Sequence, residues 1–176
     1  MTNRITTGVA MVSFSARFQG LTESQNELID YWQSCCPPDG LPTRESLDLG
    51  AIRSHLAAIS MVEIEPRGQV RFRLAGSGLR KILGREMRGR LVADLDKGVR
   101  EIWQLGLSSA LDQLRPVGGV IERETDCHAW LRLPLCSRQS GALVLCHDTL
   151  FPKARLGVET GREFHRSNKS SRNLAA

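Results

Sequence analysis

Apolar positions along the chain alternate between a helical period and a strand period. Leu21, Gln25, Leu28, Ile29 and Trp32 fall on one helical face, with Glu23, Glu27 and Asp30 on the opposite one. Thr22 and Gln25 have capping-box spacing, in which hydroxyl and amide each satisfy an orphan backbone N–H. Pro37-Pro38-Asp39-Gly40 ends this helix. From about Asp48 the spacing of Ile52, Leu56 and Ile59 predicts a second, short helix. The period then drops to two over Ser60–Glu65, turns at Pro66-Arg67-Gly68, and resumes over Val70–Ala75. This hairpin puts Val62, Ile64, Val70, Phe72 and Leu74 on one face and charges on the other.

Ser77 is placed to cap a short helix carrying Leu79, Ile82 and Leu83, closed by Gly84 in the left-handed conformation. The strongest helical pattern runs from about Leu95 to Leu114, with Val99, Ile102, Trp103, Leu107, Ala110 and Leu111 on a broad apolar face. Pro116 stops it, and three strands follow at 117–125, 129–136 and 142–150, the last two joined by a turn at Gln139-Ser140-Gly141. Hairpin-linked strands imply an antiparallel sheet, and the long connection between the second and third strands crosses one face as helices. The predicted fold is α+β: a five-stranded antiparallel sheet with helices on one face, plus an N-terminal amphipathic helix.

Composition changes this picture only at the ends. The 176 residues, 41% of them apolar, suffice for one domain with a core. No apolar run approaches the about 18 residues of a membrane-spanning helix. Residues 1–151 carry 18 Lys/Arg against 17 Asp/Glu, whereas residues 152–176 carry six against two. The basic character therefore belongs to a C-terminal tail and not to the body. Within the body, residues 22–48 hold six acids against Arg44 alone, and residues 71–90 hold seven bases against Glu86 alone. The expected organisation is a flexible arm at 1–20, a domain at 21–151 (helix 21–36, core 41–151) and a disordered basic tail at 152–176. Five cysteines without a CxxC fit free thiols in a reducing cytoplasm better than a disulfide framework.

The order of two strands, helices and three strands resembles that of a PAS domain. Two stretches are similar to short bacterial single-domain PAS proteins. One is Leu41-Pro42-Thr43-Arg44 with Asp48, Ile52 and Leu56. The other is Phe72-Arg73-Leu74-Ala75-Gly76-Ser77 followed by Leu83-Gly84-Arg85-Glu86-Met87-Arg88-Gly89-Arg90. The resemblance covers residues 22–150 and implies a sensory or regulatory module without catalysis, which binds a small ligand, a protein partner or a second copy of itself. It fixes no single ligand.

Candidate chemistry is sparse. A haem-binding PAS domain needs an axial ligand aimed into its cavity. His55, His128, His147 and His165 all lie off the long helix, which disfavours haem. No cysteine lies between Cys36 and Cys127, which disfavours a flavin photosensor of the thiol type. Cys127, Cys136, Cys146 and a histidine on neighbouring strands have suitable zinc donors. Against this, adjacent strand residues such as Cys127 and His128, or Cys146 and His147, point to opposite faces. Buried thiols are the favoured reading, and no metal site is assigned. GxxxxGK[ST], GxGxxG, HExxH and GxSxG are absent from the sequence, so no enzyme is expected.

A pocket is expected between the inner sheet face and the long helix, walled by Val62, Ile64, Phe72, Leu74, Trp103, Leu107, Leu131, Leu133 and Leu145. Such an apolar cavity suits a small apolar ligand. The competing reading is that these side chains simply fill the core. Arg44 and Arg73 match the family pattern and are candidate anion anchors, with a structural salt bridge the favoured reading for each. The stripe of Leu21, Leu28, Ile29 and Trp32 lies outside the predicted sheet and calls for a partner surface, which predicts a homodimer. The functional expectation is a cytoplasmic PAS-type sensory or regulatory protein that binds a small ligand, a protein partner or both, and signals through contacts with an unidentified protein. The alternatives are a ligand-free interaction adaptor, or nucleic-acid or anionic-membrane binding confined to the basic tail.

Overall fold

The computed structural model describes residues 21–137 and 141–153. The expected arm at 1–20, the tail beyond Lys153 and most of the Gln139-Ser140-Gly141 turn lie outside the described residues. α1 (Glu23–Ser34) opens with both hydrogen bonds of the predicted Thr22/Gln25 capping box. The second helix expected from Asp48 is a single 3-10 turn at Arg53–His55. β1 (Ile59–Ile64) and β2 (Val70–Ala75) form the predicted hairpin. α2 (Leu79–Leu83) lacks a side-chain cap at its start but ends on Gly84 at φ 73°, as expected. α3 (Lys97–Gln113) precedes β3 (Val117–Glu122), β4 (Asp126–Leu135) and β5 (Ala142–Pro152).

The five strands form one antiparallel sheet in the order β2-β1-β5-β4-β3. The last strand therefore inserts at the centre beside the first, and the connection from β2 to β3 crosses one face through α2 and α3. Among the described residues, no helix is long and apolar enough to cross a membrane.

Helices cover both faces of this sheet, not one. On one side Leu79 of α2 and Trp103 and Leu107 of α3 pack with Met87 against Phe72 and Val144 of the sheet. On the other, Leu21, Leu28, Ile29 and Trp32 of α1 pack on Ile59, Met61, Leu131, Leu133 and Leu145. Leu28 is fully buried and the Trp32 indole N–H donates to the Pro134 carbonyl at 3.0 Å. This corrects the expectation that the α1 stripe needs a second molecule: the protomer's own sheet takes it. The reason is visible in β4 and β5, where apolar residues occupy both strand faces in succession, the pattern of strands covered twice.

Candidate functional site

A register shift in the hairpin decides which side chains face α3. Met61 pairs with Leu74, but the next residue, Val62, pairs with Phe72, so Arg73 is an extra residue on β2. Such a bulge reverses the side-chain alternation on one strand. Phe72 turns with Val62 toward α3, while Leu74 packs with the α1 cluster.

The nine expected pocket walls consequently do not line one cavity. Val62, Ile64, Phe72, Trp103 and Leu107 lie on the α3 side, whereas Leu74, Leu131, Leu133 and Leu145 lie on the α1 side. Arg73 faces outward from the hairpin, bonded to Glu63 and, at 3.3 Å, to Glu65. Its charge is taken by these two carboxylates, the salt-bridge reading, and it lies at the surface, not in the space beneath α3.

The α3 side holds instead a buried polar cluster that the sequence reading missed. Arg132 on β4 and Asp148 on β5 are both fully buried and joined by two hydrogen bonds, Nη1 to Oδ2 at 2.9 Å and Nη2 to Oδ1 at 3.1 Å. Arg132 Nη1 also donates to the Leu131 carbonyl at 2.9 Å. His128 Nε2 stands 2.8 Å from Asp148 Oδ1. The Trp103 ring of α3 lies against the guanidinium, 3.9 Å from ring centroid to Arg132 Cζ, and Phe72 meets Trp103 edge-on at 4.9 Å. Two donors of this cluster have no acceptor among the described residues: Arg132 Nε and Trp103 Nε1.

Backbone shape makes room for this cluster. Gly106 sits in the middle of α3, where a Cβ would come within 2.9 Å of the Trp130 ring and 3.4 Å of Arg132 Cγ. Gly119 of β3 lies on the other side of the same indole, with 3.3 Å available to a Cβ. Glycine costs a helix interior about 1 kcal/mol relative to alanine, so its presence here follows the close approach of Trp130.

Electrostatics keep the pair charged. Burial alone raises a carboxyl pKa, but the Arg132 guanidinium and the His128 hydrogen bond outweigh it and hold Asp148 below its ordinary range. Burial likewise disfavours the Arg132 cation, and Asp148 more than compensates. Beside them Cys146 is pushed up to about 12 by burial, partly relieved by Arg132, which makes it a poor nucleophile. On the α1 side, burial drives His147 down to about 4, and its Nδ1 has no partner among the described residues. Its ring stands 5.8 Å from that of His55, whose Nε2 lies 3.7 Å from Glu27.

The other sequence candidates do not converge. Cys127 pairs across the sheet with Phe151, Cys146 with Arg132 and Ser60, and Cys136 is exposed past the end of β4. Among the described residues, no three His, Cys, Asp or Glu side chains are placed to hold a metal ion. His165 lies outside the described residues. Chemically, the cluster is a closed ion pair capped by an indole, suited to fixing α3 on the sheet.

The strand order, the helical crossover and the sheet's central last strand are those of one family of folds, and a family model settles which. A model for the PAS domain matches residues 21–134, well over half of the chain. The chain belongs to the PAS domain family. Among curated proteins none matches it. The PAS assignment points to a sensory or regulatory role, and PAS domains commonly mediate protein interactions and dimerisation. Within this PAS domain the space between α3 and the inner sheet face is occupied by Phe72, Trp103 and Arg132. Two open grooves mark the surface near the hairpin. One, of about 420 Å³, lies between Ile64 and Val70 and the α3 residues Leu107 and Leu111. The other, of about 440 Å³, is lined by Glu63, Glu65, Arg67 and Arg73.

Proposed function

We propose that this PAS domain is a cytoplasmic, non-enzymatic regulatory module that acts through protein contacts, with an interior filled by its own side chains. The observation that carries the reading is the packing of Trp103. Its ring is fully buried between Phe72 at 4.9 Å and Arg132 at 3.9 Å, where the sequence alone suggested a ligand cavity. Displacing that indole for a ligand would expose a buried ion pair to a new environment, which costs several kcal/mol unless the ligand replaces its contacts.

Native mass spectrometry of freshly purified protein, with an absorbance scan into the red, tests the proposal. A bare polypeptide mass without a visible band is the expected outcome. Excess mass that leaves on denaturation would replace this reading with that of a ligand sensor.

A further inference from the structure

α1 leaves one face to solvent. Glu23, Glu27 and Asp30 are exposed there at intervals of four and three residues, opposite Leu28, Ile29 and Trp32. The helix contains no Lys or Arg. Among the described residues, Glu23 and Asp30 form no ion pair, and Glu27 meets only the His55 ring at 3.7 Å. A single face with three carboxylates and no resident cation favours a basic partner.

The chain itself supplies one. Residues 154–176 carry Arg155, Arg162, Arg166, Lys169 and Arg172 against Glu159 and Glu163. Arg162, Arg166 and Lys169 follow one another at the same intervals of four and three as the α1 carboxylates. β5 ends within that segment's reach of α1. Pro152 pairs with Asp126 at the start of β4. Leu21, just before α1, lies over Gly118 beside Leu131, five residues further along β4. That separation is roughly 17 Å at the strand rise. The 23 residues of the segment can reach up to about 75 Å. A tether of this length gives a local concentration on the order of millimolar, so modest charge pairing suffices for occupancy.

We propose that the basic segment 154–176 docks across the Glu23/Glu27/Asp30 face of α1 in the same molecule. This surface goes beyond the proposed function and does not rest on whether the interior binds a ligand. Docking there covers the solvent side of the helix that closes the outer sheet face, so any partner seeking that face competes with the tail.

Limited trypsin digestion of the full chain, at fixed low ionic strength, tests the contact. In E23Q/E27Q/D30N, cleavage after Arg162 and Arg166 should run several-fold faster than in the wild type at an unchanged thermal midpoint. Carbodiimide cross-linking of the wild type should join Lys169 to Glu23, Glu27 or Asp30. In a mixture of isotope-labelled and unlabelled protein, each cross-linked product should carry one label only. Equal cleavage rates without a Lys169 cross-link overturn the proposal. Cross-links of mixed label assign the tail to a second copy and overturn it too. Should the triple variant lose stability, ending the chain after Lys153 provides an independent readout: amide exchange over α1 should quicken, and unchanged exchange overturns the contact. Protection of the tail by an added oligonucleotide, with no difference between variant and wild type, identifies a nucleic-acid arm instead.

Discussion

The Arg132 guanidinium lies 3.9 Å from the centroid of the Trp103 ring, so a fully buried cation on β4 carries a fully buried indole of α3. Asp148 neutralises that cation from β5 through two hydrogen bonds. The cluster thus ties two central strands to the crossing helix. Its worth lies in the difference between breaking the pair and replacing it.

Asp148→Asn leaves Arg132 charged and buried with its counter-ion gone, and should cost about 3–5 kcal/mol. The double variant Arg132→Met/Asp148→Leu replaces the pair by apolar side chains and should be more stable than Asp148→Asn alone. Urea denaturation measures both. A double variant less stable than the single one would show that the pair contributes net stability beyond its own desolvation.

Gly106→Ala should destabilise the domain although alanine is the better helix former. The new methyl meets the Trp130 ring at 2.9 Å, backed by Gly119 and β3. Overpacking of this kind costs about 1–3 kcal/mol, more than the roughly 1 kcal/mol of helix propensity gained. Gly98→Ala on the same helix is the control: a Cβ there finds nothing within 4 Å, and stability should hold or rise. If Gly106→Ala raises the thermal midpoint, Trp130 is not packed against α3 as described.

How much of this was legible in the sequence follows from period and from covering. The capping box at Thr22, the hairpin, Gly84, and the ends of α3 were local signals, and the structure keeps them. The cluster was not, because Arg132 reads as the polar member of an alternating strand with Leu131 and Leu133. Its burial follows only from α1 covering one face and α3 the other. A usable signal did exist: Asp148 and Arg132 sit inside strands too apolar for a sheet open to water on either side. The bulge at Arg73 left no mark in the apolar pattern, so Leu74 was assigned to the wrong face.

Leu28→Glu should unfold or strongly destabilise the protomer, not merely split a dimer. Leu28 is fully buried against the chain's own sheet, and an unpaired carboxylate there costs several kcal/mol. Trp32→Phe should cost about 1 kcal/mol, because the Pro134 carbonyl loses its donor at 3.0 Å. Size-exclusion mass with a denaturation curve separates the cases: a folded, fully stable Leu28→Glu protein of lower mass would restore the interface reading.

Alkylation should divide the described cysteines by position. Cys136 is exposed and should react first with iodoacetamide at pH 8, followed by the half-buried Cys35 and Cys36. Cys146 is buried with its thiol pushed up to about 12, and Cys127 is buried with its thiol also raised, so both should remain unmodified until unfolding. Peptide mass mapping over a time course reads the order. Early labelling of Cys146 would mean that β5 opens without global unfolding.

Stability should fall as the pH drops from about 6.5 toward 4, and His147 is the reason. Burial lowers its folded pKa to about 4, below the roughly 6.5 of the unfolded chain. Over that interval the unfolded state binds the extra proton, so the slope of stability against pH is positive. The contribution is fully present above pH 6.5 and amounts to roughly 3 kcal/mol at most. Asp148, whose folded pKa is also depressed, acts in the same direction at lower pH, as its protonation weakens the tie to Arg132. The groups around His147 act unequally: His55 at 5.8 Å and Arg132 oppose its protonation, while Asp148 favours it. His147→Gln should therefore flatten the curve between pH 6.5 and 4 while leaving the steeper loss below it. Denaturation midpoints across that range decide the matter, since an equally steep curve in the variant would place the acid sensitivity elsewhere.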